Sequence, residues 1–167
     1  LFKLLGFAGA ETMIRLLRTE SSHPDFTALV SELDAFLAHI DGDEHAFYAQ
    51  LNKTATLQQV LVAYADGVPA GCGAIRAWEP GYMEVKRMYT RPAMRGRGIA
   101  SAILAELEKW AAELGCHSCV LETGHRQPEA IALYKKSGYR QIPNYGEYAG
   151  VDNSLCFEKK LDGVAAG

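Results

Sequence analysis

Several features that mark specialised protein classes are scarce or missing in this chain of 167 residues. Four cysteines are present: Cys72, Cys116, Cys119 and Cys156. They are too few for a disulfide scaffold and favour a reduced, cytoplasmic protein. No apolar run reaches the roughly 18 residues of a membrane-spanning helix, so no membrane partner is expected. Acidic residues outnumber basic ones by 20 to 17, which disfavours a general nucleic-acid binder. Internal repeats are also missing, which excludes solenoid architectures.

The remaining composition is that of an ordinary folded domain. Hydrophobic residues make up 49% and charged residues 22% of the chain, values that argue against disorder. We interpret residues 1–12 as a leader or an expression remnant able to pack as a short helix, because Leu1 is not an initiator residue and Met13 opens a strand-like run. Residues 13–162 are then expected to form a single domain, followed by a tail at 163–167.

Hydrophobic periodicity and turn residues predict an alternation of strands and helices. Asp66-Gly67 separates two strand-like runs and predicts a hairpin, and Gly115 predicts the end of a long amphipathic helix. The predicted elements are a strand at 13–17, helices at 26–40 and 44–51, strands at 59–64, 70–76 and 82–89, a helix at 99–114, a strand at 119–122, a helix at 128–137 and a strand at 153–160. This order predicts an α/β fold of the mixed α+β kind, with antiparallel strands joined to a parallel pair.

The segment 86–97 carries the strongest chemical signal, because it holds five cations and no acid: Lys86, Arg87, Arg91, Arg95 and Arg97. It leads from a strand into the long helix, and no Ser, Thr, Asp or Asn stands at the expected N-cap. The first amides of that helix and its dipole therefore favour an anion. Gly96 and Gly98 allow an oxyanion to approach the backbone. The segment predicts a pyrophosphate site, and the alternative is a solvated basic loop with turn glycines.

Two common phosphate-binding motifs do not fit this segment. A P-loop needs Gly-Lys-Ser/Thr, whereas the chain has Gly98-Ile99-Ala100. A dinucleotide fingerprint needs a third glycine, where Ser101 stands instead.

A metal site is not expected either. The pair Cys116 and Cys119 resembles half of a zinc site, and no second half follows in the sequence.

Two motifs resemble those of the GNAT N-acetyltransferase superfamily. The segment Arg95-Gly96-Arg97-Gly98-Ile99-Ala100 matches the family's acyl-coenzyme A motif, Gln/Arg-x-x-Gly-x-Gly/Ala. The segment 130–139, AIALYKKSGY, matches a second motif, with Tyr139 replacing the usual Phe and Gln127 standing where many members have Asn. The resemblance covers about residues 13–160. It implies a central mixed, mostly antiparallel sheet with a splayed parallel strand pair, flanked by helices.

The resemblance also implies acetyl-CoA as the acyl donor, with no metal. The amide of Met88 would lie near the thioester carbonyl and stabilise an oxyanion, and Thr90 would bind the pantetheine arm. Arg91 and Arg97 would be partners for the 3′-phosphate region. The implied cofactor-binding positions are Met88, Tyr89, Thr90, Arg95, Gly96, Arg97, Gly98, Ile99, Ala100, Gln127 and Tyr134.

Two residues are candidates for proton transfer. Glu84 lies four positions before Met88, where some members place a base that deprotonates the amine directly or through water. The alternative is that Glu84 pairs with Lys86 or Arg87. Tyr134 matches the residue that protonates the departing thiolate in many relatives, and the alternative is a packing role.

The resemblance therefore implies direct acetyl transfer in a ternary complex to a primary amine, with a small molecule favoured. The alternative function is a non-catalytic acyl-CoA-binding sensor or docking module. Four residues are candidates for the acceptor pocket: His45, Tyr48, Glu122 and Tyr145. The alternatives are a solvated position for His45 and a plain surface loop for Tyr145. A homodimer is compatible with the family, and no nucleic-acid partner is expected.

Overall fold

The computed structural model describes residues 2–5, 12–44, 46, 48–49 and 57–162. It confirms the predicted mixed α/β fold. The described strands are β1 (Phe2–Leu5), β2 (Ile14–Thr19), β3 (Gln59–Ala65), β4 (Val68–Ala77), β5 (Tyr82–Thr90), β6 (Ser118–Gly124), β7 (Arg140–Ile142) and β8 (Ser154–Lys160). The described helices are α1 (Pro24–Asp41), α2 (Ile99–Glu113) and α3 (Pro128–Lys136), with short 3-10 turns at Gly42–Glu44, Pro92–Met94 and Gly146–Tyr148.

Two elements differ from the sequence-based expectations. The expected short helix within residues 1–12 is wrong, because Phe2–Leu5 form a strand that pairs antiparallel with β2. This strand satisfies the backbone groups along the edge of β2, which a helix could not do. The short strand β7 was not predicted. Of the predicted helix at 44–51, Ala46, Tyr48 and Ala49 are helical, whereas 45, 47, 50 and 51 lie outside the described residues.

The chain divides into two compact units. The first unit contains Leu1–Arg76 and Lys86–Leu107, and the second contains Ala77–Val85 and Glu108–Gly167. In the first unit the strands follow the order β1-β2-β3-β4 and then the C-terminal part of β5. In the second unit the order is the N-terminal part of β5, then β6, β8 and β7. Strand β5 therefore contributes residues to both units.

The core of the first unit lies between α1 and the sheet. Helix α1 begins at Pro24, and the Nδ1 atom of His23 accepts a hydrogen bond from the Asp25 amide at 3.1 Å, so His23 caps the helix. The predicted hairpin is confirmed, because Asp66 and Gly67 both have positive φ between β3 and β4. The buried side chains of this core are Phe26, Leu29, Val30, Leu33, Leu57, Val60, Val62, Tyr64, Cys72, Ala74 and Tyr89.

Two glycines of β4 allow other backbone and side-chain groups of the first unit to approach closely. A Cβ atom at Gly71 would lie 2.7 Å from the carbonyl oxygen of Tyr89. A Cβ atom at Gly73 would lie 2.7 Å from the sulfur of Met88 and 2.9 Å from Ile103 of α2. Because any larger residue would displace these neighbours, the two glycines fix the positions of β5 and the first half of α2.

The second unit contains the predicted parallel pair. Strands β5 and β6 pair at three positions, from Tyr82 with Ser118 to Glu84 with Val120. Beyond Glu84 this pairing ends, although β6 continues to Gly124 on the other side as an antiparallel partner of β8. None of the helices in the part of the chain that the structure describes is long and apolar enough to cross a membrane.

Candidate active site

Strand β5 has an irregular backbone immediately before the proposed thioester-binding residues. Arg87 has φ of 59°, a left-handed conformation that is uncommon for a non-glycine residue within a strand. Its side chain is buried and forms an ion pair with Asp34 of α1. No feature of the sequence marks Arg87 for this conformation or indicates its contact with Asp34.

The three residues that follow Arg87 have different surroundings within the first unit. Tyr89 is buried in the core, so its side chain is not available to a ligand. Met88 is half-buried and packs near Gly73. The carbonyl of Thr90 accepts a hydrogen bond from Nε of Arg95 at 3.3 Å. Any role of Tyr89 in cofactor binding would therefore use its backbone.

The glycine loop, residues 95–98, opens helix α2 without a side-chain cap. The carbonyl of Gly98 accepts the Ala102 amide at 3.0 Å, which makes Gly98 the N-cap of this 15-residue helix. Since glycine has no side chain, the amides of the first turn receive no side-chain acceptor from it. Gly96 and Gly98 both have φ of 77°, and a Cβ atom at either would meet nothing within 4 Å. The open backbone and the helix dipole fit a bound pyrophosphate.

Most of the arginines in the basic segment are engaged within the first unit. Arg91 forms an ion pair with Glu32 at 2.9 Å and donates to the carbonyl of Pro69 at 2.8 Å. Arg95 lies over the ring of Phe36 at 5.6 Å. By contrast, Arg97 is exposed and has no ion pair among the residues that the structure describes. Arg97 is therefore the arginine of this loop best placed to meet a phosphate from solution.

In the second unit, Glu84 accepts a hydrogen bond from a tyrosine. The Tyr145 hydroxyl donates to Oε2 of Glu84 at 2.7 Å, and Glu84 is only 1% exposed. Burial, followed by the charge of Glu84, raises the pKa of Tyr145 far above its ordinary value. Tyr145 therefore remains protonated and keeps donating across the physiological pH range.

Tyr134 of α3 is buried next to an acidic residue of β6. Burial is the larger cause that raises the pKa of Tyr134 and the charge of Glu122 is the smaller one, so the phenol remains a proton donor. The ring packs 5.9 Å from Tyr139 and 6.3 Å from Phe157, measured between centroids. These contacts fix the ring, which agrees with a packing role as well as with an acid role.

Cys156 of β8 connects these two groups of residues. It pairs with Glu122 across the antiparallel strands β6 and β8. Burial is the main cause that raises the pKa of Cys156 to about 11; a backbone hydrogen bond with Tyr145 opposes this rise, and the charges of Glu122 and Glu84 add to it. Glu84, Glu122 and Tyr145 therefore all influence the pKa of one buried thiol of the second unit, a relationship that the sequence did not indicate.

The remaining sequence-predicted residues are less closely grouped. Gln127 is half-buried and precedes α3 without making a side-chain cap. Tyr48 is buried in the first unit. His45 lies outside the described residues. Within the described parts of the chain, no group of three or more His, Cys, Asp or Glu side chains could hold a metal ion.

The chain is similar in sequence to known acetyltransferases. The Acetyltransferase (GNAT) family model matches residues 16–139. An IAA acetyltransferase of Azospirillum brasilense is 38% identical over 135 residues, which cover 80% of this chain and 88% of that protein.

Solved structures give the same result. A provisionally named acyl-CoA N-acyltransferase of Klebsiella pneumoniae is 33% identical, with a TM-score of 0.73 over 87% of this chain and 96% of that one. A provisionally named acetyltransferase of Salmonella typhimurium, solved with its cofactor acetyl-CoA, shares the fold at 20% identity and a TM-score of 0.64, over 92% of this chain and 97% of that one. The chain belongs to the GNAT acetyltransferase family and is an acyltransferase.

Proposed function

We propose that the protein is an N-acetyltransferase that moves an acetyl group from acetyl-CoA to a primary amine of a small molecule. The observation that carries the donor assignment is the uncapped start of α2, where Gly98 leaves the first amides open beside Arg97. The donor of the Salmonella relative and the nitrogen acceptor in the name of the Klebsiella relative support the same chemistry.

The residues of the first unit would bind the donor. The amides from Gly96 to Ala100 would hold the pyrophosphate, and Arg97 would add charge at the same phosphates or at the 3′-phosphate. The backbone of Met88 and Thr90 would hold the pantetheine arm. The thioester supplies an activated acetyl group when it is bound, and the Met88 amide would stabilise negative charge on its carbonyl oxygen.

The residues of the second unit would move the protons. An amine attacks only in its neutral form, so Glu84 would accept a proton from the ammonium group, directly or through water. Tyr134 would donate its hydroxyl proton to the departing sulfur. Burial and the charge of Glu122 raise the pKa of Tyr134, so its hydroxyl holds the proton at neutral pH.

The cysteines support direct attack rather than a covalent acetyl-enzyme. All four are buried, and burial raises the pKa of each thiol, to about 12 for Cys72 and Cys119 and to about 11 for Cys156. A neutral thiol is a poor nucleophile because the thiolate is the reactive form. These free thiols also agree with the proposed location in the reducing cytoplasm.

The donor and the acceptor are tested in two steps. Calorimetric titration should show binding of acetyl-CoA, and an excess of NAD should not weaken it. Release of free coenzyme A thiol is then followed over a panel of small amines, and acetylation should depend on the amine supplied. Binding without thiol release from any amine would favour the sensor function, and the absence of acetyl-CoA binding would contradict the proposal.

A further inference from the structure

We propose that Tyr145 is a positioning residue for Glu84, and that the turn carrying Tyr145 exists in this form because Trp78 and Gly146 pack against each other. This inference rests on the proposed function, since it assigns to Tyr145 a role that is exercised through the base Glu84. It differs from the acceptor-binding role that the sequence suggested, because the Tyr145 hydroxyl already has a partner.

The hydrogen bond between Tyr145 and Glu84 has a fixed direction. Tyr145 donates to Oε2 of Glu84 at 2.7 Å, a short distance that is typical of a hydroxyl bound to a carboxylate. Glu84 is almost completely buried, so the orientation of its carboxylate is set by protein groups rather than by bulk water. Fixing Oε2 also fixes the plane of the carboxylate and hence the direction in which its other oxygen points.

Two aromatic rings support the ring of Tyr145. Its ring lies 5.1 Å from the ring of Trp78 at an interplanar angle of 59°, and 5.7 Å from the ring of Tyr148 at 85°. Such tilted and edge-to-face arrangements are the favourable geometries for aromatic pairs. The phenol is therefore held from two sides while its hydroxyl points to Glu84.

The backbone of the turn also holds Tyr145 in place. Gly146 has φ of 53°, and a Cβ atom there would lie 2.4 Å from Cη2 of Trp78, so only glycine permits this packing. The amide nitrogen of the Asn144 side chain donates to the carbonyls of Val151 and Ser154, both at 3.0 Å. The Asn144 side chain thus links the residue before Tyr145 to residues that follow the turn, and these contacts orient Tyr145.

Trp78 is itself fixed by the connection between β4 and β5. Its amide donates to the carbonyl of Tyr82 at 3.1 Å, and the Tyr82 amide donates to the carbonyl of Glu79 at 2.8 Å. The same strand that carries Glu84 therefore begins next to the ring that orients Tyr145. The segment from Trp78 to Glu84 therefore carries both the base and the ring that packs against Tyr145.

The test is a double-mutant cycle in which kcat and KM for acetyl-CoA are measured with one active amine held at saturation. Tyr145→Phe keeps the ring and removes only the hydroxyl, and we expect kcat to fall by about tenfold to a hundredfold. KM for acetyl-CoA should stay the same, because the donor-binding residues are unchanged. Glu84→Gln removes the proton acceptor while it keeps a group that can accept the tyrosine hydrogen bond. In this background, adding Tyr145→Phe should change the residual rate little.

The control is Tyr64→Phe, which removes another tyrosine hydroxyl that donates to a carboxylate, that of Asp25 at 2.5 Å. It should lower stability and leave kcat unchanged. A wild-type kcat in Tyr145→Phe would overturn the inference, as would an equal loss in the wild-type and Glu84→Gln backgrounds, since Tyr145 would then act independently of Glu84. A wild-type rate in Glu84→Gln alone would instead overturn the base role in the proposed function and leave no base for Tyr145 to position.

Discussion

The guanidinium of Arg87 forms an ion pair with the carboxylate of Asp34, and this contact joins β5 to α1 within the first unit. Arg87 has a positive φ, which costs a non-glycine residue on the order of 1 kcal/mol or more. The strained conformation persists because the buried side chain has a charged partner in that position. The pair therefore stabilises the backbone immediately before Met88.

The first prediction concerns the stability that this ion pair provides. Asp34→Asn should lower the free energy of unfolding by about 1–3 kcal/mol, because the Arg87 side chain is only 1% exposed and would lose its charged partner. The larger losses of unfolding free energy that fully buried ion pairs show are not expected here, because the Asp34 side chain is 58% exposed and solvent screens it. Urea unfolding followed by circular dichroism measures the difference.

A matched variant on the same helix provides the control. Glu32 pairs with Arg91, but the side chain of Arg91 is 31% exposed. Glu32→Gln should therefore cost less than about 1 kcal/mol, as is usual for exposed pairs. If both variants lost the same free energy of unfolding, the burial of Arg87 would not make its ion pair stronger than the exposed one.

Local sequence signals predicted the elements that depend on local interactions. Asp66 and Gly67 readily adopt positive φ, which is why the hairpin could be predicted from two residues. Helix α2 was predicted from its apolar spacing, and Gly115 ends it with φ of 88° as expected. The basic segment predicted the open start of this helix, because the missing N-cap side chain is visible in the sequence.

Long-range interactions account for what the sequence did not reveal. The hydrogen bond between Tyr145 and Glu84 joins residues 61 positions apart, and no periodic pattern connects them. The strands β1 and β7 have only four and three residues, so their formation depends on pairing with β2 and β8 rather than on their own propensities. Arg87 was missed because its conformation is imposed by tertiary contacts on a residue that does not favour it.

The second prediction tests the glycine loop as the phosphate site. Gly98→Glu should weaken acetyl-CoA binding by at least about tenfold, because it places a carboxylate beside the amides that would receive the pyrophosphate. Calorimetric titration measures this loss. The effect should be smaller for an acyl donor that lacks the pyrophosphate, such as acetyl-pantetheine.

The control for this substitution is Gly150→Glu. Gly150 has the same φ of 77°, and a Cβ atom there also meets nothing within 4 Å, so both variants carry the same backbone strain. Its acetyl-CoA affinity should equal that of the wild type. If both variants lost affinity to the same extent, general destabilisation would explain the result and the phosphate site would lose its support.

The third prediction concerns stability at alkaline pH. Burial is the main cause that raises the pKa of Cys72 and Cys119 from 9.0 to about 12 in the folded protein. These thiols ionise in the unfolded chain above pH 9 but stay neutral in the fold, so rising pH stabilises the unfolded state relative to the folded one. Each thiol should therefore cost on the order of 1 kcal/mol of stability at pH 10, and the full stability should be present below pH 9.

The measurement compares urea unfolding at pH 8 and pH 10 in the wild type and in a variant carrying Cys72→Ala and Cys119→Ala. The variant starts from a lower stability because two buried side chains are truncated. Its further loss between the two pH values should nevertheless be smaller than that of the wild type. An identical loss in both proteins would show that these thiols do not titrate as expected.

The fourth prediction separates the acid role of Tyr134 from a packing role. Tyr134→Phe keeps the ring that packs against Tyr139 and Phe157 and removes only the hydroxyl. We expect kcat to fall by about a hundredfold, since the departing sulfur loses its proton donor. The affinity for acetyl-CoA should remain nearly the same, which calorimetric titration can verify.

An acid role for Tyr134 also limits how the kcat of the wild-type enzyme can depend on pH. A general acid must be protonated, and burial, followed by the charge of Glu122, raises the pKa of Tyr134 above its ordinary value of about 10. Ionisation of Tyr134 should therefore not lower kcat at any pH up to about 10, when both substrates are saturating.

The control for Tyr134→Phe is Tyr82→Phe. It removes the hydroxyl of a tyrosine whose ring packs against His117, and it should leave kcat unchanged. A full rate in Tyr134→Phe would leave the hydroxyl without a role in proton transfer and reduce Tyr134 to a packing residue.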